Sequence, residues 1–148
     1  MSEIIRLEPK AANNCFGCGA ANKSGMHLSF DLHVDERKTR GKFILGSRYG
    51  GGAGFAHGGI IALLLDEAMG KISKLTEELA VTADLSVEYR MPVPLTEEIL
   101  VEGWQESEKG RNRFRVGEIK DAAGNLLARG KGRFVVVGAK TSVVGNVL

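Results

Sequence analysis

Asp66 is the residue whose type and position first suggest chemistry. It follows an aliphatic run in a segment whose periodicity predicts a helix over residues 60–75. On a helical wheel, its side of the helix carries mostly small residues, namely Gly59, Ala62, Met69, Gly70 and Ser73. A helical carboxylate usually lies in solvent, but small neighbours would let another backbone or a ligand come close. We therefore interpret Asp66 as a candidate catalytic carboxylate.

The start of the same helix provides a second group of candidates, His57, Gly58 and Gly59, which end a glycine-rich loop over residues 46–59. The first turn of a helix has unpaired N–H groups and the positive end of the helix dipole. Glycines leave those N–H groups open, so a carbonyl oxygen that acquires negative charge could be held there. The alternative interpretation is a flexible entry loop in which His57 packs or caps the helix.

The spacing of these two groups bears on subunit arrangement. His57 and Asp66 are nine residues apart, which corresponds to roughly 13 Å along a helix. Asp66 therefore cannot easily reach a carbonyl held at the start of its own helix, whereas Asp66 of a neighbouring subunit could.

Glu67 is the competing carboxylate. The helical wheel places it in a stripe with Lys71, Lys74 and Glu78. Charge pairs at this spacing are typical of a solvated face. We therefore expect Glu67 to lie in solvent and favour Asp66 as the reactive group.

The elements that must position these residues form an α+β pattern. Alternating apolar and polar residues predict strands at residues 28–35, 38–45, 82–90, 98–107, 112–120 and 126–137. With one helix after the second strand, the order is ββαββββ, typical of an antiparallel sheet covered on one face. Residues 1–27 are expected to be an N-terminal loop segment, residues 28–137 the folded domain and residues 138–148 a C-terminal tail.

A predicted turn at residues 121–125 determines which residues of the last two strands should share a face of the sheet. Centred near Ala123, it predicts that Phe114, Val116, Ala128, Phe134 and Val136 share one face and that Arg113, Arg115, Arg129, Lys131 and Arg133 share the other. This basic face could bind phosphates. A solvated outer face or a contact between subunits is the alternative interpretation.

Composition narrows the class of protein. The chain has 148 residues, a net charge of +2 and 20 glycines without a three-residue period, which indicates one domain and excludes collagen. The small charge argues against a nucleic-acid partner. Without a signal-peptide pattern or a long apolar run, we expect a cytoplasmic protein without a membrane partner.

Cys15 and Cys18 could hold zinc with His27, but free thiols in a structural loop are favoured.

Residues 57–70, which contain His57-Gly58-Gly59 and Asp66, together with residues 82–92, resemble the hotdog-fold acyl-CoA thioesterases of the phenylacetate-pathway type. The resemblance covers residues 28–137 and implies an antiparallel sheet wrapped around one long central helix. The upstream segment 15–26, which contains Cys15-Phe16-Gly17-Cys18-Gly19, resembles a segment that precedes this domain in one branch of the family.

The resemblance also implies an activity, hydrolysis of an acyl-CoA thioester to a carboxylic acid and coenzyme A. Asp66 would be the general base or nucleophile and Gly58 would donate its N–H to the thioester carbonyl. His57 would shape that corner, and Thr82 would hold the attacking water or the carboxylate. The expected substrate-binding residues are Gly59, Glu67, Arg113, Arg129 and Lys131.

Such proteins form homodimers or homotetramers with shared sites. No metal or cofactor is required, because a thioester is already activated and coenzyme A is part of the substrate. One position departs from the pattern, since some relatives carry a polar Asn or Gln where this chain has Gly51.

Two alternative functions remain open. Dehydratases and hydratases of the same fold use a histidine and an acid placed at the β-carbon, and His27 and His33 lack such surroundings in the sequence. A non-catalytic acyl-CoA-binding module is the other alternative, and only Gly51 favours it.

Overall fold

An antiparallel sheet of seven strands and one long helix form the fold in the computed structural model, which describes residues 3–139. The strands are β1 (Ile4–Leu7), β2 (Phe30–His33), β3 (Lys38–Ile44), β4 (Glu78–Tyr89), β5 (Glu98–Lys109), β6 (Asn112–Asp121) and β7 (Leu126–Ala139). The helices are α1 (Gly58–Gly70) and α2 (Ser73–Thr76), and a 3-10 turn (Ser47–Tyr49) lies in the preceding loop. The predicted α+β architecture is confirmed.

The strand order is β1-β2-β3-β5-β6-β7-β4, which places β4 at one edge of the sheet and β1 at the other. The expectation that residues 1–27 contain only loop is wrong for β1. Its residues pair with β2 from Ile4 opposite His33 to Leu7 opposite Phe30. A four-residue strand without apolar alternation gives no periodic signal, so β1 forms because β2 offers it an open edge.

Helix α1 packs its apolar side against the sheet. The helix residues Ile61, Leu64, Leu65, Ala68 and Met69 are buried, and Ile72, just after the helix, is buried as well. The predicted single helix over residues 60–75 is interrupted, because α1 ends at Gly70 and α2 begins at Ser73.

Close approach of α1 to the sheet depends on glycine. A Cβ atom built on Gly103 of β5 would lie 2.5 Å from the carbonyl oxygen of Ala68. A Cβ atom on Gly117 of β6 would lie 3.2 Å from Cδ2 of Leu65. These two glycines therefore let the helix backbone lie directly on the central strands.

A one-residue bulge changes the phase of the β6–β7 hairpin. Lys120 lies opposite Leu126, but the next pair is Ile119 opposite Ala128, so Leu127 is an extra residue. Opposed residues share a face of an antiparallel pair, and one extra residue exchanges the faces. Arg113 therefore lies opposite Phe134 and Arg115 opposite Gly132. The prediction that Arg113 and Arg115 share a face with Arg129, Lys131 and Arg133 is wrong.

Arg115 consequently points at the helix. It is buried, and its guanidinium donates to the carbonyl oxygen of Met69 at 3.1 Å and to Oγ of Ser73 at 2.9 Å. It also lies 4.8 Å from the centre of the Phe134 ring. Burial lowers the pKa of Arg115 to about 10, which leaves it cationic at neutral pH. A cation at the end of α1 stabilises the negative pole of the helix dipole.

Most of the predicted tail, residues 138–148, lies outside the described residues, and its first two residues, Gly138 and Ala139, complete β7. Among residues 3–139, no helix is both long and apolar enough to cross a membrane.

Candidate functional site

Asp66 and Thr82 lie together at the contact between α1 and β4. Oγ1 of Thr82 donates a hydrogen bond to Oδ1 of Asp66 at 2.7 Å. Within residues 3–139, Oδ2 of Asp66 has no hydrogen-bond partner. The threonine therefore fixes one carboxylate oxygen and leaves the other available to a water or a substrate.

A cavity of about 270 Å³ begins at this pair. Its wall includes Gly70, Val81 and Phe134, together with Asn13, Cys15 and Cys18 of the N-terminal segment. The contribution of the N-terminal segment was not predicted from the sequence. The C-x-x-C spacing and the resemblance of residues 15–26 to a segment in one branch of the family were the only signals there.

The start of α1 is capped by His57. Its Nδ1 accepts a hydrogen bond from the Gly59 amide at 2.8 Å, so this amide is already occupied. The hydrogen bonds of residues 3–139 include none donated by the Gly58 amide. Of the two glycine amides in the first turn, that of Gly58 is the one open to a ligand.

Tyr89 is a further residue at this corner that sequence reasoning did not single out. Its hydroxyl donates to the carbonyl oxygen of Gly58 at 2.8 Å. A Cβ atom built on Gly58 would lie 3.6 Å from the Tyr89 ring. The end of β4 thus holds the start of α1 in place, and Gly51 lies beside it, since its Cβ would be 3.4 Å from Cα of His57.

The structure does not bring the two halves of the expected site together within one chain. Asp66 and Gly58 both lie on α1, and eight residues of helix separate them by about 12 Å. The cavity wall includes Asp66 and Thr82 but not His57, Gly58 or Gly59.

Glu67 differs from its predicted setting. Its side chain is 14% exposed and that of Lys71 13%, with 3.8 Å between Oε2 of Glu67 and Nζ of Lys71. Sγ of Cys15 lies 3.6 Å from Oε1 of Glu67. The prediction of a solvated face is wrong at these two residues, because the N-terminal segment covers this side of α1.

The cysteines are free thiols in this arrangement. Burial, and then the nearby Glu67 carboxylate, raise the pKa of Cys18 to about 12. His27 lies elsewhere, with Nε2 at 2.6 Å from the carbonyl oxygen of Asn22. Among the described residues, the potential metal ligands that lie close together are Cys15, Cys18 and Glu67. His27 is not one of them.

The candidate phosphate-binding residues differ in how far they are already paired. Arg113 forms two hydrogen bonds with the Glu78 carboxylate, at 3.1 and 2.7 Å, and these hold the pKa of Glu78 below its usual value. Arg129 donates to Glu118 at 2.6 Å. Lys131 is exposed and has no ion-pair partner within residues 3–139, so it is the freest cation of the three.

Strand β4 is exposed along most of its length. All residues from Val81 to Ser86 are exposed, including the apolar side chains of Val81 at 45% and Leu85 at 37%. Tyr89 is 53% exposed as well, and it shares a face of the strand with Leu85. An edge strand with exposed apolar side chains is typical of a surface that pairs with another chain.

Comparison with known proteins places this geometry in a family. The model described as thioesterase superfamily matches residues 53–128, just over half of the chain. The mouse (Mus musculus) acyl-coenzyme A thioesterase THEM4 is 34% identical over 90 residues, covering 61% of this chain and 39% of the mouse protein. This chain therefore matches about two fifths of that relative's length.

Two solved structures show the same fold. A thioesterase superfamily protein, 31% identical, has a TM-score of 0.76 over 83% of this chain and 60% of its own. A Streptococcus mutans protein bound to acetyl CoA is 22% identical, with a TM-score of 0.66 over 69% of this chain and 82% of its own. With the matched family residues spanning α1, β4, β5 and β6, the chain belongs to the thioesterase superfamily.

Proposed function

We propose that the protein is an acyl-CoA thioesterase that hydrolyses an acyl-CoA thioester to a carboxylic acid and coenzyme A. The observation that carries this proposal is the hydrogen bond from Thr82 to Asp66 in the wall of a cavity. It leaves one carboxylate oxygen free beside a space partly lined by apolar atoms. The mouse relative is named an acyl-coenzyme A thioesterase, and the S. mutans structure holds acetyl CoA.

Asp66 acts as the general base or as the nucleophile. As a base, its free oxygen takes a proton from water while the water oxygen bonds to the thioester carbonyl carbon. The carbonyl oxygen becomes negative and is stabilised by the Gly58 amide at the positive end of a helix. Collapse of this intermediate breaks the carbon–sulfur bond, and the coenzyme A thiolate leaves and takes up a proton.

The complete site requires two subunits. Because Asp66 and Gly58 of one chain lie about 12 Å apart along α1, the amide at the carbonyl must come from a second copy. The exposed edge of β4 supports a homodimer with two such sites, and two dimers could pair into a homotetramer. Two free cysteines fit a cytoplasmic location.

Among the expected substrate-binding residues, Lys131 is the cation most available to a phosphate of coenzyme A, because no carboxylate neutralises it within residues 3–139. Arg113 and Arg129 would first have to leave Glu78 and Glu118. The Gly59 amide is occupied by His57, and Glu67 by Lys71 and Cys15.

Replacement of Asp66 tests the proposal. Asp66→Asn keeps the size of the side chain and an acceptor for Thr82 but removes the base. We expect turnover of a panel of acyl-CoA thioesters to fall at least about 100-fold, with coenzyme A binding retained. The measurement is coenzyme A release, with calorimetric titration of coenzyme A for binding. Asp35→Asn, at an exposed position, is the matched control.

Equal turnover by wild type and Asp66→Asn contradicts the role of Asp66. Binding without release from any thioester by the wild type favours the non-catalytic acyl-CoA-binding module instead. Hydration of an unsaturated acyl-CoA without release indicates the dehydratase or hydratase alternative.

A further inference from the structure

Three potential metal ligands converge outside the Asp66–Thr82 pair. The sulfur atoms of Cys15 and Cys18 and a carboxylate oxygen of Glu67 all lie within 4.8 Å of one another. The Cys15 sulfur and Oε1 of Glu67 are 3.6 Å apart. In a tetrahedral zinc site, bond lengths of about 2.0–2.3 Å place neighbouring ligand atoms roughly 3.5 Å apart. Small side-chain adjustments would therefore bring all three atoms onto one ion.

The turn that carries the cysteines is held by its own hydrogen bonds. Oδ1 of the buried Asn13 accepts from the Cys15 amide at 2.7 Å, and the Gly19 amide donates to the Cys15 carbonyl at 2.9 Å. Gly17 lies directly on Glu67, since a Cβ there would be 2.6 Å from Oε1. The backbone thus places both sulfur atoms beside the carboxylate, and C-x-x-C is the spacing that structural zinc sites use.

Charge balance also fits a divalent cation. Two thiolates and one carboxylate carry three negative charges, and a divalent cation leaves one. The Lys71 ammonium lies 3.8 Å from Oε2 of Glu67 on a side chain that is 13% exposed, so it neutralises the remaining charge. Buried charges are tolerated when they are balanced in this way.

We propose that Cys15, Cys18 and Glu67 bind one zinc ion, with the fourth position directed to the cavity that these residues share with Asp66. Each thiol releases its proton to solvent as the zinc–sulfur bond forms. The ion fastens the N-terminal segment to α1 and so fixes one wall of the cavity. This site is independent of whether Asp66 hydrolyses a thioester.

Cobalt titration tests the site without an activity measurement. The full-length chain is reduced, stripped with a chelator under anaerobic conditions and titrated with Co²⁺ and then Zn²⁺. We expect one cobalt ion per chain, a sulfur-to-cobalt charge-transfer band and its loss when Zn²⁺ displaces the cobalt. Cys18→Ser should weaken the band, and Glu67→Gln should lower zinc affinity at least about 100-fold. Glu77 is an exposed carboxylate ten residues after Glu67, and Glu77→Gln is the control. This variant should bind zinc as the wild type does.

Absence of a charge-transfer band in the reduced wild type overturns the proposal, as does equal zinc affinity of Glu67→Gln and Glu77→Gln. Thermal unfolding provides a readout if Glu67→Gln does not fold. Excess zinc should raise the Tm of the wild type, because an ion that binds only the folded state stabilises it. The same rise in the double variant Cys15→Ser, Cys18→Ser would also overturn it.

Discussion

At the scale of single residues, the role of the Gly58 amide can be tested by a substitution that removes its N–H. Proline at the first helical position keeps the helix but has no N–H. His57 already has the extended conformation that proline requires of the residue before it, with φ −63° and ψ 137°. We expect Gly58→Pro to lower kcat by about 100–1,000-fold, as loss of one oxyanion donor does.

Gly58→Ala is the matched control for this prediction. It retains the amide, and its Cβ would meet the Tyr89 ring at an ordinary 3.6 Å. The measurement is kcat for both variants with circular dichroism to verify folding. Comparable kcat values for Gly58→Pro and wild type would show that the Gly58 amide does not contact the reacting carbonyl.

The ion pair between Glu78 and Arg113 makes stability depend on pH. Its hydrogen bonds lower the pKa of Glu78 below the usual 4.5. The stabilisation is therefore fully present above that value and is lost as pH falls through the lower pKa of the folded state. We expect Glu78→Gln to cost about 1 kcal/mol of unfolding free energy at pH 7. The cost should vanish in strong acid.

Urea unfolding of wild type and Glu78→Gln at a series of pH values measures this difference. Glu98→Gln, at an exposed position without an ion pair in the described chain, is the control and should show no such pH dependence. A constant difference between Glu78→Gln and wild type down to strong acid would contradict the assignment.

The position of Asp66 beside Thr82 was predictable from the sequence, whereas their catalytic roles stay predictions. The helical wheel singled out Asp66, and the family resemblance supplied Thr82 as its neighbour, which the 2.7 Å hydrogen bond now places beside it. The setting of Glu67 was not predictable, because its cover comes from residues about fifty positions earlier in the chain. A helical wheel describes one element and contains no information on what lies over it.

At the scale of elements, the contact between α1 and the sheet leaves no room for a side chain at Gly103. A methyl group on Gly103 would lie 2.5 Å from a backbone oxygen of α1, which cannot move away independently of the helix. We expect Gly103→Ala to destabilise the protein by about 1–3 kcal/mol or more, since overpacking displaces backbone.

Gly46→Ala is the control for Gly103→Ala. It has nothing within 4 Å of its Cβ and a negative φ of −72°, so its stability should be unchanged or slightly higher. Thermal and urea unfolding measure both variants. Equal stability of Gly103→Ala and wild type would show that the helix can shift away from β5 at no cost.

Elements with long periodic patterns were predictable, and those set by pairing were not. The helix and strands β2 to β7 follow from the spacing of apolar residues, whereas β1 has only four residues and depends on β2 for its conformation. The faces of β6 were predicted wrongly because a bulge at Leu127 leaves composition unchanged while it exchanges the faces.

At the scale of the whole molecule, a shared site predicts complementation between two inactive chains. In a hybrid of Asp66→Asn and Gly58→Pro chains, one site contains both substitutions and the other contains neither. We expect the purified hybrid dimer to regain about half of the wild-type turnover, because one of two symmetric sites is intact. Differently tagged chains, co-expressed and purified through both tags, provide the sample.

A hybrid of Asp66→Asn with the double variant Asp66→Asn, Gly58→Pro has no intact site and should stay inactive. Sedimentation velocity of the same preparations reports the oligomeric state. Hybrid turnover equal to that of the inactive parents, or a monomeric wild type, would show that the site is not shared.

The two edges of the sheet have unequal capacity to add another strand. β1 is four residues long and has Arg6 held by Asp31 at 2.7 Å, whereas β4 offers twelve residues, several of them apolar and exposed. Each chain therefore has a single sheet edge that is long enough to pair with a second strand. In the proposed homodimer, pairing of β4 with β4 occupies the long edge of both chains, so this pairing would stop at two copies rather than extend into a fibre.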